Sequence, residues 1–300
     1  MTGGTDKTRL ATLAAFISCI IYGFSFLASR VALMHTAPEM LLAIRFSAAM
    51  LIMIALVLTG VYKVDLRGKP VGMFIIIGIC QPVIYFISET KGIQYTNSSF
   101  AGIMISLIPV VTAVFSAVFL GERLRLSTLA WIFVSVAGVS VISTSQTSNG
   151  AVQLKGVLWL LAAVASAAAF YITSRSIADK FTPFERTFVM MVTGFVFFTA
   201  SAVVKDGADF IPMLKAGLTD RNVMLPILYL AVLSSVAAFM MQNYAVTYID
   251  LAKITVFENI IPLISVAAGV ILLKEPFSVW QLTGMILILL GVWKVTTEDS

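Results

Sequence analysis

Ten apolar stretches, each about long enough to cross a bilayer, divide this chain from end to end, and that division limits the folds open to it. They run at roughly 10–33, 39–61, 71–90, 97–120, 125–144, 155–177, 183–204, 223–247, 251–273 and 278–295, with charged, glycine or proline clusters between them. At about 1.5 Å per residue, some 20 helical residues cover the roughly 30 Å of hydrocarbon in a membrane. Lipid offers no water to the backbone, so each stretch must pair its own N–H and C=O groups, which only a helix does within one segment. The predicted fold class is an all-α membrane protein with ten transmembrane helices. Only Lys205–Asn222 reads as a long polar loop. The remaining connections are tight, so successive helices are expected to be antiparallel, and no length of chain is left for a soluble domain.

Composition agrees with this reading. A chain of 300 residues that is 59% hydrophobic and 12% charged, with mean hydropathy +0.99, carries more apolar surface than a water-soluble core could hide. The net charge of +5 reads as loop charge facing anionic headgroups, with the lipid bilayer as partner and nucleic acid excluded. Cys19 and Cys80 lie inside apolar runs without metal-ligand spacing, and read as small buried hydrophobes. The apolar stretch after Lys7 and Arg9 is too long for a signal-peptide core and is taken as the first span. With both termini cytoplasmic, twelve basic residues fall on the inner side, including Lys63, Arg67, Lys69, Arg123, Arg125, Arg175, Lys180, Arg186 and Lys253. Seven fall outside: Arg30, Lys91, Lys155, Lys205, Lys215, Arg221 and Lys274. That bias favours cytoplasmic termini and a multi-pass protein of the plasma membrane.

The second half of the chain repeats the first. IPVVTAVFSAVFLGERL from Ile108 and IPLISVAAGVILLKEPF from Ile261 each place a Glu thirteen positions after a Pro. An offset of 153 pairs Tyr95 with Tyr248, Pro109 with Pro262, Glu122 with Glu275 and Gly138 with Gly291. Earlier in each half, an offset of 145 pairs Ser29 with Ser174, Arg30 with Arg175 and Pro38 with Pro183. The chain therefore reads as two five-helix units, 1–150 and 151–300. Five is odd, so the second unit enters the membrane from the opposite side and the repeats are inverted.

Two inverted copies that exchange two slightly different packings open a central cavity first to one side and then to the other, which is alternating access. Pro109 and Pro262 each remove a helical N–H donor at matching depth, freeing the carbonyls of Ile105 and Glu258, and are the expected hinges or kinks. Glu122 and Glu275 follow the last apolar residues of their helices, next to Arg123 and Lys274 respectively. Each carboxylate is expected to complement the positive N-terminal end of the helix that follows it, as a structural cap or a gate latch.

These strings also resemble a known family. YGFSF at Tyr22, Arg45-Phe46, GIQYTNSSFAGIM from Gly92, LGERLRL followed by Gly138, and KEPFSVWQLTGMILILLGV are similar to the ten-helix EamA-type transporters of the drug/metabolite transporter superfamily. The likeness spans about residues 10 to 295. It implies a permease or exporter of small metabolites, often amino acids or related compounds, with a central cavity between the halves. The sequence departs at LLKEPF, where the family more often has Gly before the Glu, so close packing there is expected to be relaxed.

Polar groups inside apolar helices are costly and mark candidate cavity walls. Gln81, Tyr85 and Glu89 fall four residues apart on one helix face. Gln242 and Asn243 occupy the repeat-equivalent positions of Glu89 and Thr90; Glu258 and Asn259 precede Pro262, and Ser106 is equivalent to Asn259. Tyr22, Ser25 and Tyr171 complete the candidate substrate site. Arg45, six residues into the second helix, is expected either to pair with Glu89 or Glu258, to bind one charge of a zwitterionic substrate, or to snorkel to the outer interface. A carboxylate in a low-dielectric cavity favours its neutral form, so proton coupling through Glu89 or Glu258 stands beside facilitated diffusion and exchange.

An enzyme is not expected. The single histidine, His35, sits in a short connection, and H-E-x-x-H, G-x-S-x-G and the phosphate-binding G-x-x-x-x-G-K-S/T are all missing from the sequence. No cofactor and no metal are predicted; the partner is a small-molecule substrate. The alternatives are a multidrug or cation exporter of the same fold and, further off, an intramembrane transferase.

Overall fold

A computed structural model of the chain describes residues 3–120, 125–148, 152–175, 180–249, 254 and 257–298. All regular structure among them is helical. The first helices are α1 (Gly3–Leu33), α2 (Pro38–Leu58), α3 (Val71–Gly78) and α4 (Tyr85–Tyr95), followed by α5 (Ser98–Ile105), α6 (Ile108–Leu120) and α7 (Leu126–Ser148). Then come α8 (Leu154–Arg175), α9 (Pro183–Asp206), α10 (Phe210–Thr219), α11 (Arg221–Leu228), α12 (Phe239–Tyr248), α13 (Ile260–Leu272) and α14 (Val279–Glu298). Eight helical stretches among the described residues are long and apolar enough to cross a membrane. The other two predicted segments are helical but different in kind. Val71–Tyr95 is interrupted, and α13 has only 13 residues.

The interruptions recur at the repeat offset. The helix from Val71 to Tyr95 passes through a π segment at Ile79–Ile84, where Gln81 leaves helical geometry (φ −141°, ψ 113°). The one from Arg221 to Tyr248 passes through a π segment at Tyr229–Ala238, and 79–84 maps onto 232–237 within it. The helix of Pro109 breaks at Ser106–Leu107, between α5 and α6, and the helix of Pro262 breaks at Asn259, just before α13. Proline lacks the N–H that would close the preceding turn, so each break lies on its N-terminal side.

Local sequence sets the helix starts. Asn97 caps α5 by accepting from Phe100 N (2.8 Å). Thr182 and Glu185 form a reciprocal capping box on α9, with Pro183 in its first turn. Ser278 and Gln281 do the same for α14: Ser278 N donates to Gln281 Oε1 (2.7 Å) and Gln281 N to Ser278 Oγ (3.3 Å).

Ion pairs and polar contacts gather at the two ends of the bundle. Where α1 ends, Lys205 pairs with Glu39 (2.6 Å), Arg30 donates to Ile93 O (3.0 Å) and His35 lies 3.8 Å from Asp220. At the opposite end, Lys69 meets Glu185 (2.7 Å) and Arg186 donates to Asn243 O (2.7 Å). Between them the outer surface is apolar: Leu51, Phe119, Phe133, Val196 and Ile271 are all exposed. That distribution suits a hydrocarbon surround.

Helices α7 and α14 cross at glycines. A Cβ on Gly138 would collide with Gly284 O and Ile288, and one on Gly284 with Gly138 O, so the backbones touch as they do at small-residue crossings in membranes. The stretch Lys205–Asn222, expected as a polar loop, instead contains α10. Phe210, Ile211, Met213, Leu214 and Leu218 give it an apolar stripe at helical spacing, and Gly217 lets it sit against Ile44 of α2.

Candidate functional site

One cavity lies where the broken helices meet. Its described lining includes Tyr22, Ser25, Gln81, Tyr85, Glu89, Ser106, Tyr171, Gln242, Asn243 and Glu258, so ten of the twelve predicted substrate-site residues share one space. Pro109 also lines it, while Pro262, Arg45 and Asn259 are not among its described lining residues. The wall is drawn from both halves in matching pairs. Tyr22 stands with Ala167, Ser25 with Phe170 and Phe26 with Tyr171 at the offset of 145; Gln81 with Ser234, Phe86 with Phe239, Glu89 with Gln242 and Ile105 with Glu258 at 153. Phe86 and Phe239 are alike, but the other pairs differ, and each carboxylate has a neutral repeat counterpart, Gln242 for Glu89 and Ile105 for Glu258.

The breaks are what put polar atoms here. Pro109 and the turn at Ser106–Leu107 end the run of α5 at the wall, and Pro262 with the turn at Asn259 places Glu258 there. Tyr171 Oη donates to Glu258 Oε1 at 2.6 Å, and Gln242 Nε2 reaches the same oxygen at 3.4 Å. Ser18 Oγ donates to Gln242 Oε1 (2.9 Å), which fixes the amide. Tyr85 Oη donates to Glu89 Oε1 at 3.2 Å. Tyr22 Oη is buried without a hydrogen-bond partner among the described residues. Asn243 faces away in part, donating from Nδ2 to Thr187 Oγ1 (3.0 Å).

Arg45 takes a course the sequence did not suggest. It neither pairs with Glu89 or Glu258 nor reaches the interface: at 1% exposure it donates from Nε to Ser235 Oγ (2.8 Å) and from Nη2 to Ser234 Oγ (3.1 Å). Its guanidinium lies 4.3 Å from the centroid of Phe86. Two hydroxyls and a ring face provide partners in the packed layer behind the wall.

Glu275 does not cap the helix that follows it. Ser278 and Gln281 do that, and the Glu275 carboxylate instead reaches the N-terminus of α5 in the other half. Oε1 accepts from Ser98 N (2.9 Å) and Ser98 Oγ (2.7 Å), and Oε2 from Ser99 N (2.9 Å) and Ser99 Oγ (2.5 Å). A carboxylate on the first N–H groups of a helix, which have no partner within the helix, is favoured by the helix dipole. Gly269 makes room for it, since a Cβ there would strike Glu275 Oε2 and both serine hydroxyls. Packing at this second-copy Glu is therefore tight, against the relaxation expected from Lys274 replacing a Gly. Ser265 Oγ donates to Ser98 O (2.8 Å), joining α13 to α5 one turn away. Glu122 lies outside the described residues.

Sequence reasoning missed several wall residues. Ser234 is the repeat partner of Gln81, and Phe86 and Phe239 are partners of each other, so the offset of 153 could have found them. Ser174, partner of Ser29, was available from the offset of 145.

Comparison with known proteins adds identity to this geometry. The EamA-like transporter family profile matches twice, over residues 9–144 and 154–297. A Bacillus subtilis protein named "Uncharacterized transporter YcxC" is 32% identical over 289 residues, covering 94% of this chain and 91% of the relative. A "Probable amino-acid metabolite efflux pump" of Escherichia coli K12 is 23% identical, over 95% and 94% of the two chains. A solved structure titled "Crystal structure of protein" superposes with a TM-score of 0.67 at 20% identity, over 96% of each chain, and shares the fold.

Proposed function

The chain belongs to the EamA-like transporter family, and from that premise we propose that it exports small organic metabolites from the cell by alternating access of the cavity between its halves. It is a multi-pass membrane transporter rather than an enzyme; the reading beyond that rests on the cavity. The observation that carries it is the shared wall: two carboxylates, amides and hydroxyls drawn from both halves, enclosed in an apolar helical bundle at the breaks of both repeats. Polar groups held there at the cost of desolvation are expected to serve a passing solute.

In this reading ten crossings form two inverted five-helix units, 1–150 and 151–300, with both termini cytoplasmic in the plasma membrane. Recurrence of the π segments and helix breaks supports the duplication. Pro109 and Pro262 are the hinges. The hydrogen bonds of Glu275 to Ser98 and Ser99 close the outer end, and Glu122 is the expected counterpart at the inner end. Efflux is supported by the relatives named as amino-acid metabolite efflux pumps. Proton coupling through Glu89 or Glu258 supplies the energy.

The test is a melting-temperature panel of purified protein with amino acids, amines and sugars, followed by liposome flux of the compounds that shift it. Expected is protein-dependent movement of at least one unmodified compound. Chemical conversion of a compound, or binding without flux, rejects the transporter mechanism. Under proton coupling, an imposed pH gradient drives flux of the compound and collapsing the gradient with a protonophore abolishes that driven flux; accumulation unchanged when the gradient is collapsed rejects that coupling.

A further inference from the structure

The charge of the cavity wall points to the charge of its substrate. Its ionisable acids come from opposite halves, Glu89 on α4 and Glu258 before α13, and among the described lining residues no Lys, Arg or His faces them. The hydrogen bonds of each carboxylate run to a single oxygen. Glu258 Oε1 takes both Tyr171 and Gln242, and Glu89 Oε1 takes Tyr85, while the Oε2 of each takes no hydrogen bond among the described residues. Tyr22 Oη, buried at the same wall, is also without a partner. The guanidinium of Arg45 lies in the packed layer behind the wall, donating to Ser234 and Ser235 over the face of Phe86, and makes no hydrogen bond to either carboxylate. Such a wall has acceptors to spare.

We propose that the substrate is an organic monocation, a protonated amine carried on an aromatic or aliphatic body, whose ammonium is taken by the free carboxylate oxygens of Glu89 and Glu258. This rests on reading the cavity as the transport site and deepens that reading. An ammonium presents only donors, which is what two half-used carboxylates and an unpartnered phenol oxygen can accept. The rings of Tyr171 and Phe239 offer apolar contact to the body and quadrupole faces to the cation, and Phe86 adds apolar contact. An amino acid fits less well. Its own carboxylate would enter a desolvated space holding two others, with no cation on the described wall to receive it.

The experiment uses three probes of one shape: phenethylamine, phenylalanine and 3-phenylpropionate, which are cation, zwitterion and anion on the same phenyl body. Full-length protein in liposomes is assayed for counterflow of each, and binding is read by melting temperature in detergent. The expected result is phenethylamine binding at least about tenfold tighter than phenylalanine, no binding of phenylpropionate, and loss of phenethylamine binding of about tenfold or more in both Glu89→Gln and Glu258→Gln. Should either glutamine variant fail to fold, Glu89→Asp and Glu258→Asp keep the charge and are expected to retain the order of preference. Phenylalanine or phenylpropionate moving as well as the amine overturns the cation assignment and leaves the transporter reading standing. Flux confined to uncharged solutes does the same. No flux of any solute by folded protein overturns both.

Discussion

At the scale of single residues, burial decides which polar groups are structural and which remain available. Arg45 donates to two serines from Nε and Nη2, so Arg45→Lys, which cannot present the same planar fork, is expected to destabilise the protein by roughly 1–3 kcal/mol. The measurement is a lowered melting temperature and abundance with an unchanged KM in the surviving protein; a changed KM at normal stability would put Arg45 at the substrate. Tyr171→Phe removes the 2.6 Å hydrogen bond to Glu258 and leaves only the longer one from Gln242. It is expected to cost on the order of 1.5–3 kcal/mol, as for hydrogen bonds to charged groups, read as a drop in melting temperature. Much of the wall was legible at this scale because a polar side chain in an apolar helix needs a reason to be there. Arg45 shows the limit of that logic: the serines that satisfy it are 189 and 190 positions away, and no local spacing announces a pairing across that distance.

Among the elements, the broken helices carry the interest. Each proline was visible in the sequence, and so was the expectation of a kink; the break one turn earlier follows from the missing N–H. The target of Glu275 was not visible, because a carboxylate beside one helix start looks like the cap of that helix until SVWQ is recognised as a capping box of its own. Similarly, the apolar period of α10 was hidden under charged flanks. The serine contacts of Glu275 yield a test of gating. Ser98→Ala with Ser99→Ala removes both hydroxyl bonds and keeps both backbone ones, weakening the α5 closure by about 1.5–3 kcal/mol per bond lost. A cysteine placed at Ser106 should then react faster with a membrane-impermeant maleimide applied from the outside. An unchanged labelling rate would show that the contact does not close the outer end.

For the whole molecule, the duplication was the most legible feature, since offsets of 145 and 153 can be read without coordinates. Which half approaches which was not, because packing between copies depends on surfaces that have no sequence period. The proposed topology predicts that tags on both chain ends are protected in right-side-out vesicles and become accessible only on permeabilisation; opposite behaviour of the two ends would reject it. The copies also differ where they should match. Leu251 and Ala252 stand at the offset of 153 from Ser98 and Ser99, so the sequence carries no hydroxyls at the positions repeat-equivalent to the serines that hold Glu275. Substrate-free protein is therefore expected to rest closed outside, with slow maleimide labelling of cavity cysteines from that side and fast labelling from within.

The crossing of α7 and α14 has a consequence far from the cavity. Because the backbones meet at Gly138 and Gly284, a single added methyl has nowhere to go, although neither glycine lines the described cavity wall. A deep mutational scan scored separately for protein level and for uptake should accordingly show two territories of intolerance. Variants at the crossing would vanish from the membrane, whereas variants at the wall would lose uptake before they lose abundance.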